Sequence, residues 1–445
     1  MQINSQMTSG RIRKGRRQLA GALAWLALIP LVGATANEAD AVRKLQAAVE
    51  LAWQRGPDLA LVRSEIEQSR ALARSERRAG APYVEYQEEG IGPSLANRPN
   101  AARYLRFGSP FNAPWQRSAG RALEEGTISW GSAHRRAAAL EIAVDVSDAW
   151  LEAAALQERA AIRERRLERL ARAVALQSKR LEVGEVSGAD LVQIELERAR
   201  AELAARSAQA ELEAVRAHLT RLTGAPAPAP ARGDLTALAA VLEPLPASES
   251  WLDAAVDSSA AVVAALHGTE RERCAARLER VTAEGRPEAQ LEWEKIPYLD
   301  GADGFEAIGV VLHWPLPIGK AVRARRAAGR ARVRAAEQRE QRVRAQTRAD
   351  LQAAVAEARQ AAASLELHSA MIEKLNTSEH VLAEQFRLGA SSYLEFLDGS
   401  ARLDEVRLLH VDTLRSLLGA RLDLAAITGD RNLFPLPAQA PEVTP

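Results

Sequence analysis

The sequence contains little of what a compact globular enzyme is built from. Aromatic residues make up only 4% of the 445 residues, so a conventional thick globular core is not expected. The single cysteine, Cys274, excludes an internal disulfide and any thiolate metal cluster. With a net charge of only +1, the chain also lacks the basic excess that nucleic-acid binding requires.

Catalytic and metal-binding motifs are missing as well. The chain has no G-x-S-x-G, P-loop or H-E-x-x-H sequence, which argues against an enzyme and against a bound cofactor. Metal ligands usually cluster at defined spacings, whereas the histidines here form no H-x-x-x-H pair. We therefore predict neither catalytic residues nor a metal site. The scattered histidines are His134, His218, His267, His313, His368, His380 and His410.

Long apolar runs are absent beyond the N-terminus, where a short one has the features of an export signal. Basic residues from Arg11 to Arg17 precede the apolar run Leu19–Val32, and Ala34–Ala36 is an A-x-A cleavage site. The run is shorter than the roughly 20 residues of a membrane span. We expect cleavage after Ala36, with a retained anchor as the alternative. No cysteine follows the run, so a lipid anchor there is not expected.

Alanine, arginine, glutamate and leucine dominate the rest of the chain, which is typical of long helices and coiled coils. The pattern predicts a proline-free helix from Trp115 to about Val183, roughly 100 Å long, and a partner helix that returns to about Leu222. Gly184 is the predicted helix stop, and Ser187 can cap the partner. Small side chains on the partner helix are predicted to form its packing seam: Ala199, Leu203, Ala210, Ala214 and Ala217.

One unit occurs twice in the chain. Leu181–Gly224 matches Phe386–Gly429 at a shift of about 205 residues, so that Gly184 meets Gly389 and Asp190 meets Glu395. Two long copies indicate two halves that stand side by side rather than a solenoid of short repeats. The predicted organisation is a signal peptide (1–36), a first repeat (37–223), a proline-rich linker (224–248), a second repeat (249–429) and a disordered tail (430–445).

Each repeat is predicted to contain one β-hairpin, at about residues 82–110 and 287–315. In the second hairpin Ile308, Val310 and Leu312 share one face, as expected for a barrel wall between lipid and water. An ordinary half-buried sheet would show the same alternation. Four strands have open edges and cannot close a pore, but three chains would supply twelve strands.

These features together resemble the TolC family of outer-membrane efflux proteins over essentially all of the mature chain. The resemblance is carried by the export signal, the duplication, the hairpin between helices in each half and the F-R-x-G motif at Phe386–Gly389. It implies a mainly α fold with a small β part. Long antiparallel helical hairpins would form an α-barrel, and each chain would add four strands to a trimeric, 12-stranded transmembrane β-barrel.

The implied function is a passive exit duct in the cell outer membrane, with its helical tunnel in the periplasm. A homotrimer would dock a periplasmic adaptor and an inner-membrane pump of the RND or a similar type, and would export metal cations or small toxic compounds. The compact length is similar to the CzcC-like heavy-metal branch. A periplasmic adaptor and a coiled-coil scaffold without a pore are the alternatives, although the duplication argues against an adaptor.

The resemblance also implies where the entrance lies. In this family the two hairpin turns form the periplasmic tip, and acidic side chains just past the second turn ring the entrance. Glu395 and Asp398 match those positions, although a solvated helix face carries acids routinely. Drug-efflux members can carry tyrosine and arginine where this chain has Phe386 and Ser391, so gating by that bond network is not expected here. The turn residues singled out are Gly184, Ser187, Asp190, Phe386, Gly389 and Ser391.

Overall fold

A computed structural model gives the fold of most of the chain. It describes residues 36–89, 102–183, 187–245, 251–283, 285–296, 304–316, 318–387, 393–430 and 432–437. The predicted signal peptide thus lies outside the described residues except for Ala36, which begins the first helix. No helix in the described part of the chain is both long enough and apolar enough to cross a membrane.

The elements follow the same order in both halves of the chain. The first half contains α1 (Ala36–Arg55), α2 (Pro57–Arg77), β1 (Tyr83–Glu89), β2 (Ala102–Pro110), α3 (Pro114–Glu182) and α4 (Gly188–Thr223). The second contains α5 (Asp234–Val241), α6 (Leu252–Ser258), α7 (Ala260–Thr282), β3 (Glu288–Ile296), β4 (Phe305–His313), α8 (Lys320–Arg387) and α9 (Tyr393–Thr428). The predicted class, mainly α with a small β part, is confirmed.

The internal duplication is confirmed as well. The helices α4 and α9 both contain 36 residues, and their bounds superpose at the predicted shift. Two equivalent positions even meet in space, because the hydroxyl of Tyr83 donates a hydrogen bond to the carboxylate of Glu288, 205 residues away. The long helices α3 and α8 contain 69 and 68 residues, so each is about 100 Å long.

The four strands form one antiparallel sheet in the order β1-β2-β3-β4, so the pairing of β2 with β3 joins the two repeats. Directly paired residues point to the same face of a sheet. One face carries apolar side chains in two rows that cross all four strands, and all of them are exposed except the half-buried Trp293. The rows are Val84–Phe107–Leu291–Val310 and Tyr86–Leu105–Trp293–Ile308. The other face carries the row Glu85–Arg106–Glu292–Gly309, so the two faces differ sharply in polarity.

The main hydrophobic core surrounds the middle of α3, where the short helices α1, α5 and α6 pack between the long ones. Trp150 is fully buried there, and its indole N–H donates to the carbonyl oxygen of Pro228 at 3.0 Å. Trp53 on α1 donates likewise to the carbonyl of Ala139 at 2.8 Å. Both polar tips are therefore satisfied within an otherwise apolar belt.

Two segments that were predicted to lack packed structure contribute to this core. The predicted linker 224–248 contains α5, on which Leu235 and Leu238 are buried. In the predicted disordered tail 430–445, Leu433 and Phe434 are buried in the same cluster. Both predictions were therefore wrong for these parts, because a few apolar side chains in each segment find a core built by distant helices.

The face of α4 that was predicted as its packing seam does not pack against α3. The residues from Ala199 to Ala217 that were assigned to it are all exposed, and Leu203 is 69% exposed. The side chains that pack toward α3 lie on the opposite face of α4, at heptad spacing. They are Ile194, Ala201, Ala208, Leu212 and Leu219, all of which are buried.

Candidate functional site at the turns of the helical hairpins

The candidate site lies where each long helix turns back on its partner. Gly184, Gly389 and Ser391, which were predicted to shape the two turns, lie outside the described residues. Ser187 is described and exposed, directly before α4, and its carbonyl oxygen accepts a hydrogen bond from the backbone N–H of Leu191 at 3.5 Å. This contact belongs to the first turn of the helix.

The other predicted turn residues lie within helices. Asp190 is in the first turn of α4, and Phe386 is in the last turn of α8. Both residues therefore lie in helices, at the ends that adjoin the hairpin turns. Any part that they play in function stays a prediction.

Glu395 and Asp398 lie in the first turns of α9, and both are exposed. Their separation of three residues places them on neighbouring positions of the helix surface. The carboxylate of Asp398 pairs with the guanidinium of Arg402 at 2.7 Å, with both side chains more than half exposed. An exposed pair of this kind contributes little stability.

A groove of about 430 Å³ opens between the two hairpins beside these acids. It is lined by side chains from α3, α4 and α9, and Asp398 lies at its edge. On the opposite wall Arg166 pairs with Glu197 at 3.6 Å. The full lining is Arg166, Arg169, Leu170, Gln193, Ile194, Glu197, Leu397, Asp398, Ser400 and Ala401. Asp398 of α9 therefore shares this groove with Arg166 and Arg169 of the first hairpin.

A buried ion pair fastens α9 to α3 just beyond this groove. The carboxylate of Asp404, with only 4% of its side chain exposed, binds the guanidinium of Arg169. Arg407 lies 3.6 Å from the same carboxylate and donates a hydrogen bond to the side-chain oxygen of Asn376 on α8 at 2.8 Å. Burial raises the pKa of Asp404 above its ordinary value, although Arg169 and Arg407 oppose that rise.

Sequence analysis missed this ion pair, although the sequence contains a signal for it. Asp404 and Arg407 occupy positions that alternate by three and four residues along α9, which is the spacing of a buried seam. The seam runs Ser400, Asp404, Arg407, Val411, Leu414, Leu418, Arg421 and Ala425. A charged residue at one position of such a seam specifies the partner helix and the register, because only one arrangement places the compensating charge opposite it.

Charged contacts continue between α3 and α9 toward the core. Arg159 on α3 pairs with Asp412 on α9 at 2.6 Å, and Arg415 on α9 pairs with Glu152 on α3 at 3.2 Å. Nearby, burial and the neighbouring carboxylate of Asp148 raise the pKa of Asp423 to about 6. The contact between the two hairpins is thus electrostatic along much of its length.

Comparison with known proteins supports the reading of this architecture. Residues 304–430, which include the second hairpin turn, match the family model described as outer membrane efflux protein. A comparison with curated protein sequences found no match.

The fold is also similar to those of solved channels. The structure of CusC, described as forming a transmembrane channel, is 14% identical with a TM-score of 0.70, and the match covers 87% of this chain and 92% of that chain. The outer membrane channel CmeC of Campylobacter jejuni is 13% identical with a TM-score of 0.68, and the match covers 96% of this chain and 94% of that chain. The MtrE outer membrane channel of Neisseria gonorrhoeae, in its open state, is 16% identical with a TM-score of 0.67, and the match covers 87% of this chain and 89% of that chain.

At these identities the structural likeness establishes the fold, and the family model adds a sequence match over β4, α8 and α9. The resemblance to the TolC family of outer-membrane efflux proteins, predicted from the sequence, is thereby confirmed.

Proposed function

We propose that this protein is the outer-membrane exit duct of a tripartite efflux system. The observation that carries the proposal is the four-stranded sheet with one exposed apolar face and one polar face, joined to helical hairpins about 100 Å long. An apolar face toward lipid and a polar face toward water are what a barrel wall requires. The fold is similar to those of solved outer-membrane channels over most of the chain.

The sheet of one chain has two open edges, at β1 and β4, so the duct requires several copies of the chain. Three copies would close a barrel of twelve strands, with the helical hairpins forming a tunnel in the periplasm. A periplasmic adaptor and an inner-membrane pump, of the RND or a similar type, would supply the driving force. The proposed cargo is metal cations, as in the CzcC-like branch, or small toxic compounds.

The periplasmic entrance of the duct is proposed to lie at the hairpin turns. Three copies of Glu395 and Asp398 near a narrow axis would repel one another and attract cations. The exposure of both carboxylates supports this role, because neither is buried in the packing of the single chain. The turns at Gly184 and Gly389 would form the tip that meets the adaptor.

The test of the duct itself has two parts. Outer and inner membranes are separated, and the protein purified from the outer-membrane fraction is added to planar lipid bilayers, where stepwise conductance is expected. Protein confined to the inner membrane, or bilayers without conductance, would contradict the proposal. A deletion strain is then challenged with zinc, cobalt, cadmium, nickel, copper and silver salts and with drugs and detergents, which separates the two classes of cargo.

The proposed entrance is tested with Glu395→Gln combined with Asp398→Asn. We expect the resting conductance to rise and the concentration of a multivalent cation that half-blocks the pore to increase on the order of tenfold, because the attracting charge is lost. Glu405→Gln is the matched control, since Glu405 is another exposed acid of α9 farther from the turn. Equal block in the double variant and the control would remove the entrance acids from the proposal.

A further inference from the structure

The polar face of the sheet is strongly unbalanced in charge. Strand register places five glutamates and one arginine on this face among the described strand residues, leaving a net charge of −4 per chain. The opposite face has no such excess, because its charged row, Glu88–Arg103–Lys295–Glu306, carries two acids and two bases that sum to zero. The charged residues of the polar face are Glu85, Glu89, Glu288, Glu292, Glu294 and Arg106.

Arg106 holds the centre of this face through contacts with two other strands. Its Nε donates to Oε1 of Glu292 on β3 at 2.8 Å, and its Nη1 donates to Oε1 of Gln87 on β1 at 2.7 Å. The same Nη1 lies 3.8 Å from a carboxylate oxygen of Glu85. Because Glu85, Arg106 and Glu292 are direct partners in the register, the single positive charge lies between two negative ones.

We propose that Arg106 sets the charge selectivity of the pore at the level of the sheet. The inference rests on the proposed duct, in which three copies of the polar face line one water-filled passage. Uncompensated carboxylates in a narrow passage attract cations and exclude anions. Arg106 offsets the charge of Glu85 and Glu292 at one level, and it therefore limits how strongly the passage discriminates.

Removal of the guanidinium changes the net charge of each polar face from −4 to −5. In 0.1 M salt the added charges are screened over about 10 Å, so their effect is confined to this level of the passage. We expect Arg106→Gln to raise the ratio of potassium to chloride permeability on the order of threefold. Glu292→Gln has the opposite sign and should lower the ratio.

The chain offers a matched control on the same strand. Arg103 lies three residues from Arg106 on the opposite face, where it is 44% exposed and pairs with Glu88 at 3.5 Å. Arg103→Gln removes the same charge but not from the polar face, so the permeability ratio should not change. Arg106→Lys keeps the charge and loses the forked hydrogen bonds, and it should keep the ratio of the unsubstituted protein.

The experiment measures reversal potentials in planar bilayers under a potassium chloride gradient, with the full-length protein from the outer-membrane fraction. The measurement is repeated with Glu395→Gln and Asp398→Asn present, so that the acids at the hairpin turns do not dominate selectivity. The expected order of cation preference is Arg106→Gln above the unsubstituted protein and Glu292→Gln below it.

Two results would overturn the assignment of Arg106 while leaving the duct intact. One is an equal permeability ratio in Arg106→Gln and Arg103→Gln in a protein that conducts. The other is an equal change in Arg106→Lys and Arg106→Gln, which would show that the effect comes from altered strand packing rather than charge. If the unsubstituted protein itself does not conduct, the proposed duct fails, and the selectivity role fails with it.

Discussion

The ion pair between Asp404 and Arg169 makes a sharp prediction about how the two hairpins are held together. Asp404→Ala leaves the guanidinium of Arg169, which is only 18% exposed, without its carboxylate. Removal of one partner from a buried ion pair typically costs about 3–5 kcal/mol, because the remaining charge is left uncompensated. Since Arg169 keeps some access to water, we expect a value near the lower end, about 3 kcal/mol.

The loss should be local, because the pair lies at the turn-side margin of the main core, about two helical turns beyond Val411 and Ile162. A cost of about 3 kcal/mol corresponds to roughly a hundredfold change in an opening equilibrium. Hydrogen exchange of backbone amides, followed by mass spectrometry in detergent, measures such local opening directly. We expect exchange to accelerate by about a hundredfold in α9 between residues 400 and 414, with little change near the buried residues 418–425.

Two further variants separate charge from packing. Asp398→Ala removes the acid of an exposed pair with Arg402 and should change exchange by less than about fivefold. Asp404→Leu combined with Arg169→Met replaces both charges by apolar side chains, which is often neutral or stabilising, and it should restore most of the protection.

Unchanged exchange in Asp404→Ala would refute the reasoning, because it would show that the pair does not hold α9 against α3. A double replacement that exchanges as fast as Asp404→Ala would refute it differently. In that case the loss would come from the altered helix contact and not from the uncompensated charge of Arg169.

Two other predictions concern the body of the molecule. Gly224 and Gly429 end the equivalent helices with φ of 68° and 73°, but only at Gly224 would a Cβ meet a backbone atom, the oxygen of Arg55 at 2.5 Å. Gly224→Ala should therefore lower the Tm more than Gly429→Ala, which bears only the left-handed strain of about 1–2 kcal/mol; equal shifts would contradict the close approach. Burial and the carboxylate of Asp148 raise the pKa of Asp423 to about 6, although part of its side chain reaches solvent. In the unfolded chain the pKa of an aspartate is near 3.9, so the folded state binds this proton more tightly. Stability should fall as the pH rises from about 4 to 6, and Asp423→Asn should flatten the dependence of Tm on pH in that window; identical profiles would contradict the assignment.

Much of the fold could be predicted because its signals are local. The prolines and glycines around each hairpin and the absence of proline within the long helices fix where elements begin and end. The second hairpin was predicted at about residues 287–315, and its strands run from Glu288 to Ile296 and from Phe305 to His313. The duplication then strengthened each assignment, since a feature that is ambiguous in one copy recurs in the other.

What could not be predicted depends on contacts between distant segments. Nothing local distinguishes the helix α5 from an extended linker, because the burial of Leu235 and Leu238 requires α1, α3 and α9 to be in place already. Phe434 is the same case, since one aromatic residue among prolines gives no periodic signal. Tertiary packing therefore decides the structure of both segments.

The candidate site likewise contains residues that the sequence could predict and one that it could not. Glu395 and Asp398 were singled out through a resemblance, and the structure places both at the turn end of α9 on its exposed surface. Asp404 was missed because serine, aspartate and arginine interrupt the apolar pattern by which seams are recognised. The partner of Asp404 is 235 residues away, so the sequence cannot show that the charge is compensated.

The exposed face of α4 that was predicted as a packing seam can be compared with the equivalent face of α9. Residues of α9 that face α3, through the groove or through ion pairs, have equivalents on α4 that are all exposed. The α9 residues are Leu397, Ala401, Asp404 and Arg415, and their α4 equivalents are Val192, Leu196, Ala199 and Ala210. The same helix face is thus covered in the second repeat and open in the first.

The duplication indicates what covers the open face. Within the chain α9 of the second repeat packs on α3 of the first, so the equivalent contact joins α4 to α8, the counterpart of α3. The described part of one chain does not bring α4 and α8 together to any comparable extent, so α8 of a second copy is the expected partner. Leu367 and Met371 are exposed on α8, at positions equivalent to Ile162 and Arg166 of α3. An apolar contact of α4 with α8 between chains would thus be equivalent to the charged contact of α9 with α3 within each chain. Alternation of these two contacts supports a closed ring of copies around the proposed duct.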